Sequence, residues 1–526
     1  MKRQNLFILL DRFVFIAGIL LLLYLLYWRF ELGLTRYLDA DELAHLHWGY
    51  DFFSGMRPYT DFFYIFPPYF LMMISFLWRI FGESVAVVTE ARIVIFLFFG
   101  LLLISVYKFG KLIRNSRVGM MSVLILSFVP IPYDKMIEIR PDLPAVGLAM
   151  AGMYLLIKGV TVSETQISNS KFKIQNSKLQ FKIQNFFKLF LFLSGLFYGV
   201  SIGIVPKTVF FVPSVLLVFG FWYLSNRKSG KFILKAFGAW FAGLLIPVTG
   251  VFIFIVATGE PFYAFSLMTK VASDASLELV TIYNHSFYMA PAHFFWPNQT
   301  FYGEGGMNFQ YYINLIIWIV GAIFAMIRLV GFMAYDGFRK QIAVLLLTTT
   351  FFFNLIGFIY IFPLKHSQYL IPLVPFVCLF FADFLESIAV MISKKEEKMG
   401  WIFYMMVYGV ILYSAIRVNS PKIVWTNNAD LEHIKEMEAL IPKNSYVFDL
   451  AGYALKFSDP FYYCCVPYEQ YWRVLPRKPS LTDALQKTDT KYVVNTRLDT
   501  LSLEDRGYIE ETYKNFQLGG FLLSRN

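Results

Sequence analysis

The chain has 526 residues, of which 57% are hydrophobic and 19% aromatic, and it carries a formal net charge of +11. A soluble domain has too little interior to bury so many apolar side chains, so the composition predicts a membrane protein with many spans. The surplus Lys and Arg residues lie in short clusters between apolar runs, which is typical of cytoplasmic loops and argues against nucleic-acid binding.

Membrane-spanning helices need about 20 apolar residues each. The first run follows Lys2 and Arg3 and lacks a small-residue cleavage site, which indicates an uncleaved span rather than a signal peptide. A shorter run, 67–81, opens with two prolines. The runs of about the required length lie near 7–28, 92–110, 117–133, 143–158, 187–204, 207–225, 234–257, 311–331, 342–362, 369–392 and 400–418.

Charge decides the topology, because Lys and Arg collect on the cytoplasmic side. The basic clusters all fall inside if the N-terminus is cytoplasmic and 67–81 lies at the outer interface without crossing; if 67–81 crosses, another segment must not. The pattern predicts about 11 spans, good to one or two, with the C-terminus outside. The clusters are Lys108–Arg117, the lysines of 171–188, Arg227–Lys231, Arg339-Lys340 and Lys394–Lys398.

Two regions that differ in composition are predicted, a membrane domain over 1–420 and an extracytoplasmic domain over 421–526. The tail mixes charges with short apolar runs, with a helix over Leu431–Leu440 and buried strands over Tyr446–Leu450, Lys491–Thr496 and Phe521–Ser524. The predicted fold is an all-α polytopic membrane bundle of about 11 transmembrane helices plus interfacial helices, with a small C-terminal α/β domain. Its loops are a first outer loop 30–91, a flexible cytoplasmic insertion 160–187 rich in Asn, Gln, Ser and Lys, and an outer loop 258–310.

The first outer loop opens with three carboxylates in four positions, Asp39, Asp41 and Glu42. Acidic side chains are costly near hydrocarbon and tend to mark function there. A structural interpretation assigns Asp39 as the cap of a helix and the other two as first-turn acids favoured by the helix dipole. That interpretation leaves unexplained the continuation through Gly55–Asp61 to Pro67-Pro68.

This loop resembles the GT-C superfamily of integral membrane glycosyltransferases. Within it, the chain is similar to the branch that contains the protein O-mannosyltransferases and the bacterial lipid A aminoarabinose transferases. Three further segments agree: Arg140–Pro144 resembles the second acidic position, Pro206–Thr208 a lysine-containing stretch, and His366–Pro375 a late Tyr-Leu-x-Pro segment.

The resemblance implies transfer of a hexose or pentose from a polyprenyl-phosphate donor to an extracytoplasmic lipid, polysaccharide or protein. It implies inversion by direct displacement, with Asp41 as the general base and Glu42 and Asp142 orienting the acceptor or the sugar. The same three acids would hold a divalent cation, Mg²⁺ or Mn²⁺, if the reaction uses one. The leaving lipid phosphate needs fixed cations, and the candidates are Lys207, Arg57, Arg140 and His366 (beside Lys365).

Sugars bind to aromatic faces and hydrogen-bonding groups, which here include His45, Tyr59, Asp61, Tyr283, His285 and Tyr369. Structural alternatives stay open for several of these candidates. Lys207 could snorkel at a helix end, Arg140 could pair locally with Glu138 or Asp142, and Asp142 could cap the next helix. Aromatic residues of the loop 258–310 could simply anchor the chain at the interface.

Two other functions are compatible with a polytopic chain. A lipid-linked oligosaccharide transporter or flippase would bury charge within the membrane and often shows inverted repeats, whereas here the acids cluster at the outer end. An envelope polysaccharide polymerase would depend on a large outer loop rather than on an Asp-Glu pair directly after the first span.

Metal and redox chemistry have weak support in the sequence. His45, His47, His285 and His293 have no spacing that fits a compact zinc site. Cys464 and Cys465 are adjacent, where a bridge would be strained, so we expect no redox function from them.

Overall fold

The structure, a computed structural model, describes residues 2–82, 84–170, 177–226, 230–283, 309–363, 365–394, 396–466 and 472–525. Long helices dominate everything before the tail. In chain order they are α1 (Lys2–Thr35), α2 (Ala40–Phe53), α3 (Pro68–Phe81), α4 (Ala86–Ile113), α5 (Ser116–Phe128), α6 (Asp142–Ser170), α7 (Ser177–Ile204), α8 (Val212–Ser225), α9 (Gly230–Ala257), α10 (Ala272–Tyr283), α11 (Phe309–Val330), α12 (Phe338–Ile356), α13 (Val374–Ser393) and α14 (Glu397–Asn419).

Within the described residues, ten helical stretches are long and apolar enough to cross a membrane, and they match ten of the predicted spans. The exception is the run 117–133, which the sequence predicted as one span. Its helix α5 ends at Phe128 and the chain turns by 94° into the short segment Pro130–Met136. The two prolines of Val129–Pro132 explain the bend, since proline lacks the N–H that would continue a helix and disfavours helical backbone before it.

Helix α3 corresponds to the short run that the topology left outside the membrane. Its 14 residues span about 21 Å, which is less than the hydrocarbon thickness of about 30 Å. The helix packs tightly against α2, where the Trp78 indole N–H donates to the Leu46 carbonyl at 2.9 Å. A Cβ on Gly49 would lie 2.3 Å from Ile74, so only glycine permits this approach. Helix α3 therefore supports α2, which carries the acidic cluster.

The tail folds as a small α/β unit. Helix α15 (Asn428–Leu440) precedes four strands, β1 (Val447–Phe448), β2 (Tyr492–Val494), β3 (Lys514–Gln517) and β4 (Leu522–Ser524), with α16 (Leu481–Lys487) and α17 (Leu503–Thr512) between them. The strand order is β1-β2-β4-β3, with β1 parallel to β2 and the other pairs antiparallel. The three predicted strands are confirmed. Strand β3 was missed, because all four of its side chains are exposed and leave no apolar pattern.

The tail packs against the end of the bundle at which α1 ends and α2 begins. The backbone of Arg36 bridges to Thr426, and the Leu38 amide donates to the Asp430 carboxylate at 3.0 Å. Gly452, with φ of +92°, approaches the backbone of Leu43 and Ala44 so closely that a Cβ would meet it at 2.9 Å. The described part of the chain thus brings the tail and the acidic loop into direct contact.

Several expectations concern segments that are only partly described. The insertion 160–187 is helical up to Ser170 and again from Ser177, and its middle, 171–176, lies outside the described residues. The loop 258–310 is largely helical up to Tyr283, and 284–308 lie outside them. The last long apolar stretch ends at Val424, and the domain division at 420 stays a prediction. Cys464 and Cys465 form a disulfide, a pairing that the expected strain had argued against.

Candidate active site at the Asp41 end of the bundle

Asp39 is the cap that fixes the start of α2. Its carboxylate accepts a hydrogen bond from the Asp41 amide at 3.0 Å, and the Glu42 carboxylate accepts one from the Asp39 amide at 3.0 Å. This reciprocal capping box satisfies two amides that the helix start leaves unpaired. The predicted cap is confirmed, and the Asp41 side chain stays 53% exposed.

Glu42 is buried and fully engaged. Its two oxygens accept from the Arg92 guanidinium at 3.0 and 2.8 Å, and one of them also accepts from the Ile139 amide at 2.9 Å. Arg92 also donates to the backbone carbonyls of Arg36 and Tyr37. Glu42 therefore ties α2 to α4 and to the turn after the bent helix. Sequence reasoning missed Arg92, which lies inside an apolar run; a buried cation there was the available signal.

Asp41 is held by Arg140, whose guanidinium lies 2.6 Å from its carboxylate. The same guanidinium lies 3.4 Å from Glu138 and 3.6 Å from Asp39. Partial loss of solvation raises the pKa of Asp41, but the charge of Arg140 exceeds this effect and holds that pKa below its usual range. Asp41 is accordingly ionised at neutral pH, as a general base must be.

A second set of charges surrounds this pair, and sequence reasoning did not single it out. The Lys135 ammonium lies 3.0 Å from Asp39 and 2.9 Å from Glu138, and Arg36 contacts Glu138 at 3.2 Å. Lys135 and Glu138 stand three residues apart in the turn that the proline bend creates, which was the one local signal. These contacts hold Arg140 and Asp39 in place, because the buried Glu138 carboxylate is balanced by Lys135 and Arg36.

Asp142 and Lys207 form a second carboxylate–cation pair. Lys207 Nζ donates to Asp142 Oδ1 at 2.8 Å and lies 3.6 Å from the centre of the Tyr369 ring. Burial, then the charges of Asp142 and Asp41, raise the pKa of Tyr369 despite the opposing charge of Arg140. The predicted segments around Lys207 and Tyr369 therefore meet at Asp142, two residues along the chain from Arg140, which contacts Asp41.

Both predicted site histidines near this cluster are neutral at physiological pH. Burial lowers the pKa of His45 to about 4, and burial with the charges of Arg140 and Lys135 lowers the pKa of His366 to about 4. His45 is packed edge-on against Trp48 and Phe70. The positive charge here therefore comes from arginine and lysine side chains, Arg140, Lys135 and Lys207 among them, and the two histidines contribute neutral imidazoles.

The later part of the first outer loop has other neighbours. Arg57 and Asp61 form an exposed ion pair at 3.1 Å. Tyr59 is fully buried; its hydroxyl donates to the Phe66 carbonyl, and its own carbonyl accepts from Tyr462 of the tail. Tyr59 therefore packs with the tail, and Arg57 and Asp61 pair with each other rather than with Asp41. The Tyr283 side chain and His285 lie outside the described residues.

The acids proposed to hold a cation are not arranged as a ligand set. Asp41, Glu42 and Asp142 are each paired with a basic side chain. Among the described residues, the three-residue groups whose ligand atoms lie within 4.8 Å of one another are both centred on His47. This arrangement does not fit a divalent cation bound by the three acids.

Comparisons with known proteins find one matching family and several solved structures of similar fold. Residues 66–168 match the family described as dolichyl-phosphate-mannose-protein mannosyltransferase. The structure is similar to that of ArnT from Cupriavidus metallidurans bound to undecaprenyl phosphate, with a TM-score of 0.59, 10% identity and 97% of each chain covered. No curated protein sequence matches the chain.

A second similar structure is the oligosaccharyltransferase AglB from Archaeoglobus fulgidus in complex with an inhibitory peptide and a dolichol-phosphate. Its TM-score is 0.54 at 10% identity, with 97% of this chain and 74% of that chain covered. At such low identity these matches establish the fold. The expected resemblance is confirmed: the chain is a multi-span membrane protein with the GT-C glycosyltransferase fold.

Proposed function

We propose that this protein transfers a sugar from a polyprenyl-phosphate donor to an extracytoplasmic acceptor, which is a lipid, a polysaccharide or a protein. The observation that carries the proposal is the half-exposed Asp41 carboxylate, held at 2.6 Å by Arg140, which stands two residues along the chain from Asp142 of the Lys207–Asp142 pair. Such a site combines an ionised base with fixed positive charge, and the transfer of a sugar from a phosphate requires both.

Asp41 acts as the general base in a single displacement. The acceptor hydroxyl oxygen forms a bond to the anomeric carbon, and its proton passes to a carboxylate oxygen of Asp41. The bond from the anomeric carbon to the phosphate oxygen breaks, and the lipid phosphate leaves with the electron pair. Attack opposite the leaving group inverts the anomeric configuration. Glu42 positions Asp41 through its buried contacts with Arg92 and Ile139.

Lys207 and Arg140 stabilise the charge that develops on the leaving phosphate. Both are held by carboxylates, which fix their positions before the donor arrives. Preorganised cations of this kind cost little reorganisation during the reaction. His366, being neutral, would contribute a hydrogen bond rather than a charge. Tyr369 would present its ring to the donor beside Lys207.

The similar structures support the donor class. ArnT was crystallised with undecaprenyl phosphate and AglB with a dolichol-phosphate. Under this proposal the chain lies in the plasma or inner membrane with its N-terminus in the cytoplasm. The Asp41 end and the tail then face outward, where the acceptor is met. Tyr283, His285, Arg57, Tyr59 and Asp61 stay predictions for sugar or acceptor binding.

The test is a transfer assay with the purified full chain in lipid nanodiscs. It uses radiolabelled polyprenyl-phosphate hexoses and pentoses together with a membrane extract as the source of acceptor. We expect label in one acceptor fraction, with the anomeric configuration inverted relative to the donor. Transfer from a sugar nucleotide without lipid carrier would contradict the donor class. A product with retained configuration would contradict the single displacement.

A further inference from the structure

A second cluster of ligand-type side chains lies between α2 and the tail, outside the site described above. His47 and Asp51 stand one turn apart on α2, and Asp459 comes from the tail segment after β1. The Nε2 atom of His47 lies 2.9 Å from Asp459 Oδ2 and 3.5 Å from Asp51 Oδ2. The three side chains are 0%, 4% and 1% exposed for His47, Asp459 and Asp51, respectively. They form a buried cluster of one imidazole and two carboxylates.

The hydrogen bonds within this cluster leave one carboxylate oxygen unsatisfied. In any protonation state Nε2 of His47 carries at most one hydrogen, which it can direct to only one acceptor at a time. Asp459 is at hydrogen-bonding distance, whereas Asp51 Oδ2 is buried without a hydrogen-bond partner among the described residues, and so is His47 Nδ1. A buried unpaired carboxylate oxygen is costly, so a group that satisfies it is expected.

The distances match the ligand shell of a small divalent ion. Zinc binds imidazole nitrogen and carboxylate oxygen at about 2.0–2.1 Å in a tetrahedron, whose edges are then about 3.4 Å long. The distances of 2.9 and 3.5 Å from Nε2 to the two oxygens lie on either side of that edge. All three ligand atoms lie within 4.8 Å of one another. Two carboxylates and a neutral imidazole also supply two negative charges, which a divalent cation neutralises.

We propose that His47, Asp51 and Asp459 bind a zinc-class divalent ion that clamps α2 to the tail. The nearby Cys464 and Cys465 are joined to each other, so they do not act as thiolate ligands. Asp449 is also excluded, because its oxygens accept from the Ala451 and Ala454 amides and from Thr496. The fourth position is left to water. The clamp would lie two turns along α2 from Asp41 and would fix that helix from its other end.

The test measures metal in the full chain purified without chelator. Elemental analysis should find about one equivalent of zinc-class metal per chain. Asp459→Asn should lose it, whereas Asp459→His, which keeps a ligand, should retain it. Glu510→Gln is the matched control, since it removes an exposed carboxylate elsewhere in the tail. Asp41→Asn should also keep the metal, which separates this site from the proposed catalytic acids.

A second measurement rests first on the wild type, so its main result does not require that a variant folds. Chelation should lower the thermal midpoint of the wild type by several degrees and added zinc should restore it, with no zinc response in Asp459→Asn. X-ray absorption should show nitrogen and oxygen neighbours at about 2.0–2.1 Å. Metal-free wild type without a zinc response would overturn the proposal. Sulfur neighbours, or loss of metal in Asp41→Asn but not in Asp459→Asn, would overturn the assigned ligands.

Discussion

Two charged clusters lie at opposite ends of helix α4, and they treat their carboxylates differently. Arg92 belongs to the Asp41 end, and Arg114 lies 22 residues further along the chain, or about 33 Å. At the Arg114 end, Asp383 is 2% exposed and bound by Arg114 at 2.8 Å and by Arg328 at 2.6 Å. At the other end, Asp41 is 53% exposed and bound by Arg140 at 2.6 Å.

This difference in exposure distinguishes a structural ion pair from a candidate active site. Asp383 joins α13 to the ends of α4 and α11, and its burial leaves no room for a substrate. Glu42 has the same character at the other end, since Arg92 and Ile139 occupy its oxygens. Asp41 alone of these three keeps half of its surface accessible while a fixed cation holds its charge. Accessibility combined with fixed charge is what catalysis by a base requires.

The most severe test replaces one carboxylate oxygen of Asp41 with an amide nitrogen and makes the same replacement in a matched aspartate near the Arg114 end. Asp41→Asn should lower the transfer rate by about 10²- to 10⁴-fold, because it removes the base but keeps the shape. Asp11→Asn is the matched control: Asp11 is 45% exposed and also lies 2.6 Å from one arginine, Arg117. It should keep wild-type transfer in the same nanodisc assay. Equal rates for the two variants would mean that Asp41 is not the base.

Lys207 should have the next largest effect. Lys207→Met should lower kcat/KM for the lipid-phosphate donor by about 10- to 100-fold, since a charge-assisted contact is worth about 1.5–3 kcal/mol. Lys207→Arg keeps the charge and should recover most of that loss. Thermal unfolding of both variants checks for damage from an unpaired Asp142. A loss that is equal in Lys207→Met and Lys207→Arg would point to packing on Tyr369 instead.

The dependence of the rate on pH should report the contact between Arg140 and Asp41. Arg140 lowers the pKa of Asp41, so the base stays ionised and the wild-type rate should be flat from about pH 7 to pH 5. In Arg140→Gln that pKa rises, so protonation begins at higher pH and the acid side of the rate profile should move to higher pH than in the wild type. The measurement is kcat/KM against pH for both proteins. Parallel profiles would contradict the assigned effect of Arg140.

The smallest effect on activity is expected at the Arg114 end. Asp383→Asn should lower the free energy of unfolding by about 1–3 kcal/mol, because two arginines lose their acceptor. The transfer rate per folded molecule should not change. Thermal unfolding and the nanodisc assay measure the two quantities on one preparation. A large loss of transfer with unchanged stability would place the active site at the Arg114 end and contradict its assignment to the Asp41 end.

The sequence predicted the parts of the fold that depend on local pattern. Apolar runs located the spans, and Asp39 was identified as a cap because its side chain acts on neighbours in the chain. The bend after Phe128 was missed, although Pro130 and Pro132 were visible, because the run remained apolar. Strand β3 was missed because sheet pairing with β4, and not its own composition, holds it.

The site was predictable in its members but not in their partners. The resemblance selected Asp41, Arg140, Asp142, Lys207 and Tyr369, which the structure brings together. It could not reveal that Arg92 binds Glu42, because 50 residues separate the two and the cation inside an apolar run indicates that Arg92 needs a partner without naming it. Tyr59, predicted to bind sugar or acceptor, is fully buried, and nothing in the pattern of its polar loop indicated that burial.

The most direct test of the central claim is a cryo-EM structure of the full chain with a non-transferable phosphonate analogue of the polyprenyl-phosphate sugar. We expect the phosphonate to contact Lys207 or Arg140. The anomeric carbon should face Asp41, with room between that carbon and the carboxylate for an acceptor hydroxyl. A headgroup bound at the Arg114 end, or bound with Asp41 out of reach of the sugar, would contradict the central claim.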